Sequence, residues 1–122
     1  MKANRVRVAV ILLGVVVLAA KALLAQDPLE LAPNIYKKLF ENEKVRVCDI
    51  RMKPGDTVAT HSHPDHLLYI LDPGTVQLTY QDGTSKNIEA KAGDVLWVDA
   101  ETHASANIGP TEIHAIIVEL KK

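Results

Sequence analysis

From residue 35 onward the chain is written in short runs in which apolar and polar residues alternate. Alternation with a period of two is the mark of a strand with one face buried. Such runs cover 35–42, 44–52, 57–61, 66–71, 75–80, 84–90, 95–98, 103–108 and 112–120. They are broken by KPGD, DPG, QDG, KAGD and NIGP, combinations that favour turns. No window sustains a 3.6-residue period. TEIHAIIVEL is long enough for a helix, but its β-branched content and the turn before it favour a strand. Asp82-Gly83 tolerates positive φ at both turn positions and predicts a hairpin between 75–80 and 84–90. Eight or nine short strands at this spacing predict an all-β sandwich or barrel.

Parity along the runs sorts side chains by face. Cys48, Ile50 and Met52 fall together, as do His66, Leu68 and Ile70, with Leu67, Tyr69 and Leu71 opposite. His114 shares a face with Ile116 and Val118 and reads as a core or rim histidine. Trp97 and Tyr69 read first as core residues and second as pocket walls. Cys48 is the only cysteine, so it forms no internal disulfide and reads as a small buried hydrophobe.

The first 25 residues follow a different rule. Lys2, Arg5 and Arg7 precede the apolar stretch 8–20, and small residues follow in AAKALLAQD. This is the layout of a secretory signal peptide, ending at Ala22 or Ala25; an uncleaved anchor is the alternative. The stretch is short for a spanning helix, which needs about 20 apolar residues. The expected destination is the periplasm or the medium, with no membrane contact after cleavage. Residues 26–33, with two prolines, read as an extended arm, and 34–122 as one domain.

Removing the leader changes the charge. Lys2, Arg5, Arg7 and Lys21 leave with it and no acid does, so 14 basic residues become 10 against 15 acidic, a balance of −5. That argues against a nucleic-acid partner, which calls for a basic surface.

Three of the five histidines stand in THSHPDH. His61 and His63 are two apart in a strand and project side by side, a geometry in which two imidazoles share one metal ion with little rearrangement. His66 follows, and His103 lies 40 residues beyond His63, after a Gly-Asp turn and a strand.

These segments resemble the two motifs of the cupins. GDTVATHSHPDHLLYILDPG is similar to the first, with Gly55, His61, His63 and Gly74 in its places. GDVLWVDAETHASAN is similar to the second, with Gly93, His103 and Asn107. ENEKVRV, KPGD, HSHPD, KAGD and VELKK further resemble the small cupins linked to β-alanine degradation. The resemblance implies a double-stranded β-helix, or jelly-roll barrel, with a divalent transition metal (Fe, Mn, Ni, Cu or Zn) inside it. The family holds that metal with the His pair, a Glu and the later His. Two places depart from the pattern. Counting back from Gly74 puts Leu67 in the Glu position, whereas aligning on Tyr-Ile-Leu puts His66 there. Asp99-Ala100-Glu101 replaces the usual Pro-x-Gly and makes the loop one residue shorter. The implied metal ligands are therefore His61, His63, His66 and His103.

Neutral imidazoles leave a bound ion its full charge and make it a strong Lewis acid. The expected function is that of an exported metal-binding single-domain cupin, a metalloenzyme of dioxygenase, isomerase or lyase type acting on a small polar organic molecule. No catalytic acid or base is singled out; Asp65, Asp99 and Glu101 are the titratable groups near the mouth. The alternative is a non-catalytic small-molecule or metal-binding module. A homodimer is expected, with the 26–33 arm as a candidate to add a strand to the neighbouring copy.

Overall fold

The computed structural model describes residues 26–122. The leader expected at 1–25 lies outside the described residues. A one-turn helix α1 (Pro28–Leu31) is followed by nine strands: β1 (Tyr36–Glu41), β2 (Val45–Met52), β3 (Thr57–His63), β4 (His66–Asp72), β5 (Gly74–Tyr80), β6 (Ser85–Ala90), β7 (Val95–Val98), β8 (Glu101–Asn107) and β9 (Ile113–Leu120). The strands form two antiparallel sheets, β1-β2-β9-β4-β7 and β3-β8-β5-β6. Their inner faces enclose a barrel. The strand pattern read from the sequence is reproduced to within one or two residues at each end, and β8 starts early, at Glu101, so the departure at 99–101 is a two-residue connection.

Alternation decides what fills the barrel. Cys48, Ile50 and Met52 of β2 stand opposite Ile117, Ala115 and Ile113 of β9, and all six are buried. Ile70 of β4 and Val58 and Leu78 of the facing sheet complete the apolar interior. The opposite parity of β4 and β7 faces outward, so Tyr69 and Trp97, expected in the core, are 45% and 52% exposed. They share that parity with Leu67, which stands between Trp97 and Val118 on the outer face.

Two local features differ from expectation. The 26–33 arm is not extended but turns through a short helix. Asp27 caps α1, its Oδ1 accepting from the Leu29 amide at 3.0 Å, and Pro28 occupies the first helical position, where its missing N–H costs nothing. The Gln26 carbonyl accepts from Ser62 N at 3.1 Å, which pins the arm to β3. The Asp82-Gly83 hairpin forms with only Gly83 at positive φ (+87°). Gly83 N donates to Tyr80 O and Tyr80 N to Thr84 O, a three-residue loop closed by a left-handed glycine. Asp82 Oδ1 accepts from Thr84 N and Oγ1, and these bonds favour this turn over the two-residue form.

Gly74 opens β5 where it passes Ile113. A Cβ built there would collide with the Ile113 side chain, so the two sheets close at this corner only over a hydrogen atom. Gly74→Ala is expected to destabilise the fold by about 1–3 kcal/mol through overpacking. Ile113→Ala, which removes the colliding Cγ1, should cost less in the Gly74→Ala chain than in the unaltered one. Urea unfolding of the two single variants and the pair tests this; additive losses would contradict it.

Candidate metal centre

β3 and β8 pair so that His61 stands opposite His103 and His63 opposite Glu101. A register shift between Val58 and His61 keeps His61 and His63 on the inner face beneath the barrel mouth. Both rings are buried, as is His103. One nitrogen from each of His61, His63 and His103 lies within 4.8 Å of the others. The ring centroids of His61 are 4.8 Å from those of both His63 and His103.

His66 enters from the other sheet. It is the first residue of β4, it is 2% exposed, and its ring centroid lies 4.9 Å from that of His63. The structure thus places His66 inside and Leu67 outside. His66 stands beside the mutually close set of three and is not one of them.

Hydrogen bonds fix the tautomers. A carbonyl or carboxylate only accepts, so each ring nitrogen facing one carries the proton. His61 Nδ1–H donates to Ala59 O (2.8 Å), His66 Nδ1–H to Pro64 O (2.7 Å) and His63 Nδ1–H to Glu119 Oε2 (2.8 Å). In each of the three, Nε2 is thereby the ring nitrogen left for a ligand, the arrangement a metal-ligating histidine needs. His61 Nε2 is buried with no hydrogen-bond partner among the described residues. His103 Nδ1 is also unpartnered; Glu101 Oε1 is 3.2 Å away but off the hydrogen-bonding direction. Burial lowers the basicity of His61 and His66, against a smaller opposing effect of their carbonyl partners. Burial, then the neighbouring histidines, pulls His103 down to about 3. At neutral pH these three rings are uncharged donors of electron pairs. Buried acceptors with nothing to accept from are what a cation would satisfy, so the residues fit a divalent transition ion.

Behind His63 runs a chain of charges absent from the sequence reading. Glu119 is 3% exposed. Its Oε1 accepts from Arg46 Nε at 2.7 Å, and Arg46 in turn makes two bonds to Asp27, at 2.7 and 3.0 Å. Burial pushes the Glu119 carboxyl up, but the bonds from His63 and Arg46 outweigh it and hold the group ionised. The signal was available: Glu119 has the parity of Ile113, Ala115 and Ile117, an acid on the core face of an apolar strand.

The other candidates separate. Asp65 Oδ1 accepts from the Ala100 amide and Asp99 from Trp97 Nε1. Glu101 stays beside His103 and shares a hydrogen bond with Tyr80. His114 lies on the outer face, its Nε2 2.6 Å from Asp49. A cavity of about 620 Å³ extends from the histidines through the barrel. Its mouth lies between the unpaired edges β6 and β7, where the exposed residues Lys86, Asn87 and Asp99 line it.

Among solved structures, this architecture is similar to a cupin-domain protein from Bordetella pertussis Tohama I, with a TM-score of 0.67 at 24% identity over 72% of this chain and 93% of that one. The fold is that of the cupins. A cupin-superfamily protein from Desulfitobacterium hafniense DCB-2 aligns with TM-score 0.55 at 24% identity, covering 72% and 77% of the two chains. An RmlC-like cupin from Methanocaldococcus jannaschii aligns with 0.57 at 21%, covering 71% and 79%. No protein-family sequence model and no curated protein sequence matches the chain. In this chain, His61 and His63 belong to the segment resembling the first motif and His103 to the second. Asn107, the last residue of the second, is structural, its side-chain amide donating to Met52 O and Thr111 O.

The lowered histidines have a consequence for stability. An unfolded histidine titrates near 6.5, so between pH 6.5 and about 3 the unfolded chain binds protons that folded His103 refuses. His61 and His66 act in the same direction. Stability is full above pH 6.5 and is lost as pH falls, by up to about 1.4 kcal/mol per pH unit for each such ring. The thermal midpoint of the metal-free protein should therefore be clearly lower at pH 5 than at pH 7.5, and His103→Gln should reduce the difference. Equal midpoints would contradict the assignment.

Proposed function

We propose that this chain is an exported metal-dependent enzyme of dioxygenase, isomerase or lyase type, acting on a small organic molecule in the barrel. The observation that carries the reading is the convergence of four buried imidazoles, with His61 Nε2 and His103 Nδ1 left without partners among the described residues, at one end of a cavity large enough for a substrate. Sites for small molecules have volumes of about 300–1,000 Å³. His61, His63 and His103 would hold the ion, with His66 as fourth ligand in place of the acid that cupins commonly use. A bound ion there supplies Lewis acidity to an oxygen of the substrate. Glu119 keeps the Nδ1 proton of His63 on its own side, and Glu101 is the acid beside His103. The short motifs resembling cupins linked to β-alanine degradation fit this broad class without naming a substrate. Export rests on the leader-like 1–25 segment.

Purified protein given excess divalent metal is expected to retain about one ion per chain by elemental analysis. His61→Ala should lose it. His66→Ala should bind more weakly but still bind, and Glu119→Gln should lose about tenfold or more in affinity. Absence of bound metal in the unaltered protein would overturn the reading. Retention of metal with every coordination position filled by protein would favour the non-catalytic binding module.

We also propose that two copies pair through the outer face of the five-stranded sheet. Tyr69, Val95 and Trp97 are 45%, 63% and 52% exposed. Strand register makes them continuous with Leu67, Ile116 and Val118. An apolar sheet face of this extent, next to the unpaired edge β7, is the kind of surface that proteins cover. Light scattering after size exclusion should give a dimer, and Tyr69→Lys with Trp97→Glu should give a monomer. A monomeric unaltered protein at tens of micromolar would refute the pairing.

A further inference from the structure

The interior beyond the histidines has its own chemistry. Its walls are Ile50, Met52, Leu68, Ile70 and Ile117, contributed by the inward parity of β2, β4 and β9. Tyr36 and Tyr80 line the cavity beside the histidines and Asn87 at the rim; on the apolar wall beyond them the polar side chain is Ser105. Ser105 is 8% exposed, lines the cavity, and its Oγ is buried with no hydrogen-bond partner among the described residues. Ser105 follows His103 by two residues on the inner face of β8, so it lies about 7 Å deeper along the strand. A buried hydroxyl without a partner is costly, and the cavity wall is where a ligand would supply one. Lys86, at the exposed rim, is the only cationic side chain among the lining residues, and Asp99 and Glu101 stand at the same mouth.

We propose that the barrel binds an apolar-bodied molecule with two polar ends about one ring apart. One end is a metal-seeking oxygen at the histidines; the other is an uncharged hydrogen-bonding group at Ser105. The inference rests on the reading of the cavity as a ligand site and refines the expected polar substrate to one whose polarity is confined to its ends. A second charge at the deep end would be stripped of water against isoleucine and methionine with no counter-ion, a cost that a single hydroxyl does not offset. Dicarboxylates, sugars and phosphoesters are thereby disfavoured. Ketones, alcohols and phenols with a ring or branched body fit.

The test uses isothermal titration of the purified, zinc-supplemented protein with three probes: 4-hydroxyacetophenone, which has both ends; phenol, which lacks the second; and terephthalate, which is charged at both. The first should bind about fivefold more tightly than phenol, the increment of one neutral hydrogen bond. Terephthalate should bind at least tenfold more weakly than the first. Ser105→Ala should lower affinity for 4-hydroxyacetophenone to the phenol value, leave phenol unchanged, and not lower the thermal midpoint, because the hydroxyl removed has no partner. Equal binding of terephthalate, an equal or absent effect of Ser105→Ala on both phenolic probes, or no binding of any probe would overturn the proposal. Zinc content is measured on the same samples, and the titrations are repeated without metal, where a phenol meets the imidazoles of His63, His66 and His103 that line the cavity. Failure of metal loading with retained probe selectivity rejects the metal reading and leaves this one standing.

Discussion

The structure turns on one buried carboxylate. Glu119 sits in the interior of a small barrel, where an isolated anion would be untenable, and it is stable there because it is bonded on both sides. On one side it accepts from His63 of the four-stranded sheet; on the other it accepts from Arg46 of the five-stranded sheet. Arg46 reaches on to Asp27, which caps α1. A single network therefore joins the arm, both sheets and the candidate metal centre. Removing Glu119 would leave His63 free to choose its tautomer; removing Arg46 would leave Glu119 with an imidazole as its only partner.

The same economy explains the cavity. About 97 residues give a limited core, and a domain of this size rarely has apolar contact to spare. The packed part of the interior lies where β2, β9 and β3 meet the arm, with Tyr36, Cys48 and Val58 among its buried residues. Toward β6 and β7 the sheets do not pair, and the space between them remains open. Close approach is concentrated at the corner where Gly74 meets Ile113, and the volume is left beside the histidines.

Much of this was legible in the sequence, because a period of two leaves little freedom. Parity placed Cys48, Ile50 and Met52 inside, paired His61 with His63, and put His66 and Leu67 on opposite faces. What it did not supply was the absolute direction of a face with apolar residues on both sides. In β4 and β7 either parity could pass for core, so Tyr69 and Trp97 were read inward and lie outward. The arm was misread for a related reason: two prolines favour extended chain in general, but Pro28 directly after a capping Asp27 favours the start of a helix. Glu119 escaped notice because its partners, at positions 46 and 63, are distant in sequence. Its parity was visible; that an acid could be satisfied there was not.

Taken together, these charges constrain what the site accepts. The three burial-shifted imidazoles are neutral, and the network behind His63 consists of two carboxylates and one guanidinium, for a net charge of −1. A cation among the Nε2 atoms meets lone pairs first and a net negative field behind them. Any ion placed there brings positive charge into a cavity with almost no other charge inside. A partner that enters is therefore attracted at one end only, and the walls sort the rest of it by hydration. Specificity in such a barrel comes less from many contacts than from where the polar ones stand: Tyr36 and Tyr80 lie beside the histidines, Lys86, Asn87 and the carboxylates at the mouth, and Ser105 alone on the apolar wall. His66, standing where the resembled motif has an acid, fits the same pattern: the only buried carboxylate among the described residues, Glu119, lies one imidazole back from the histidine cluster.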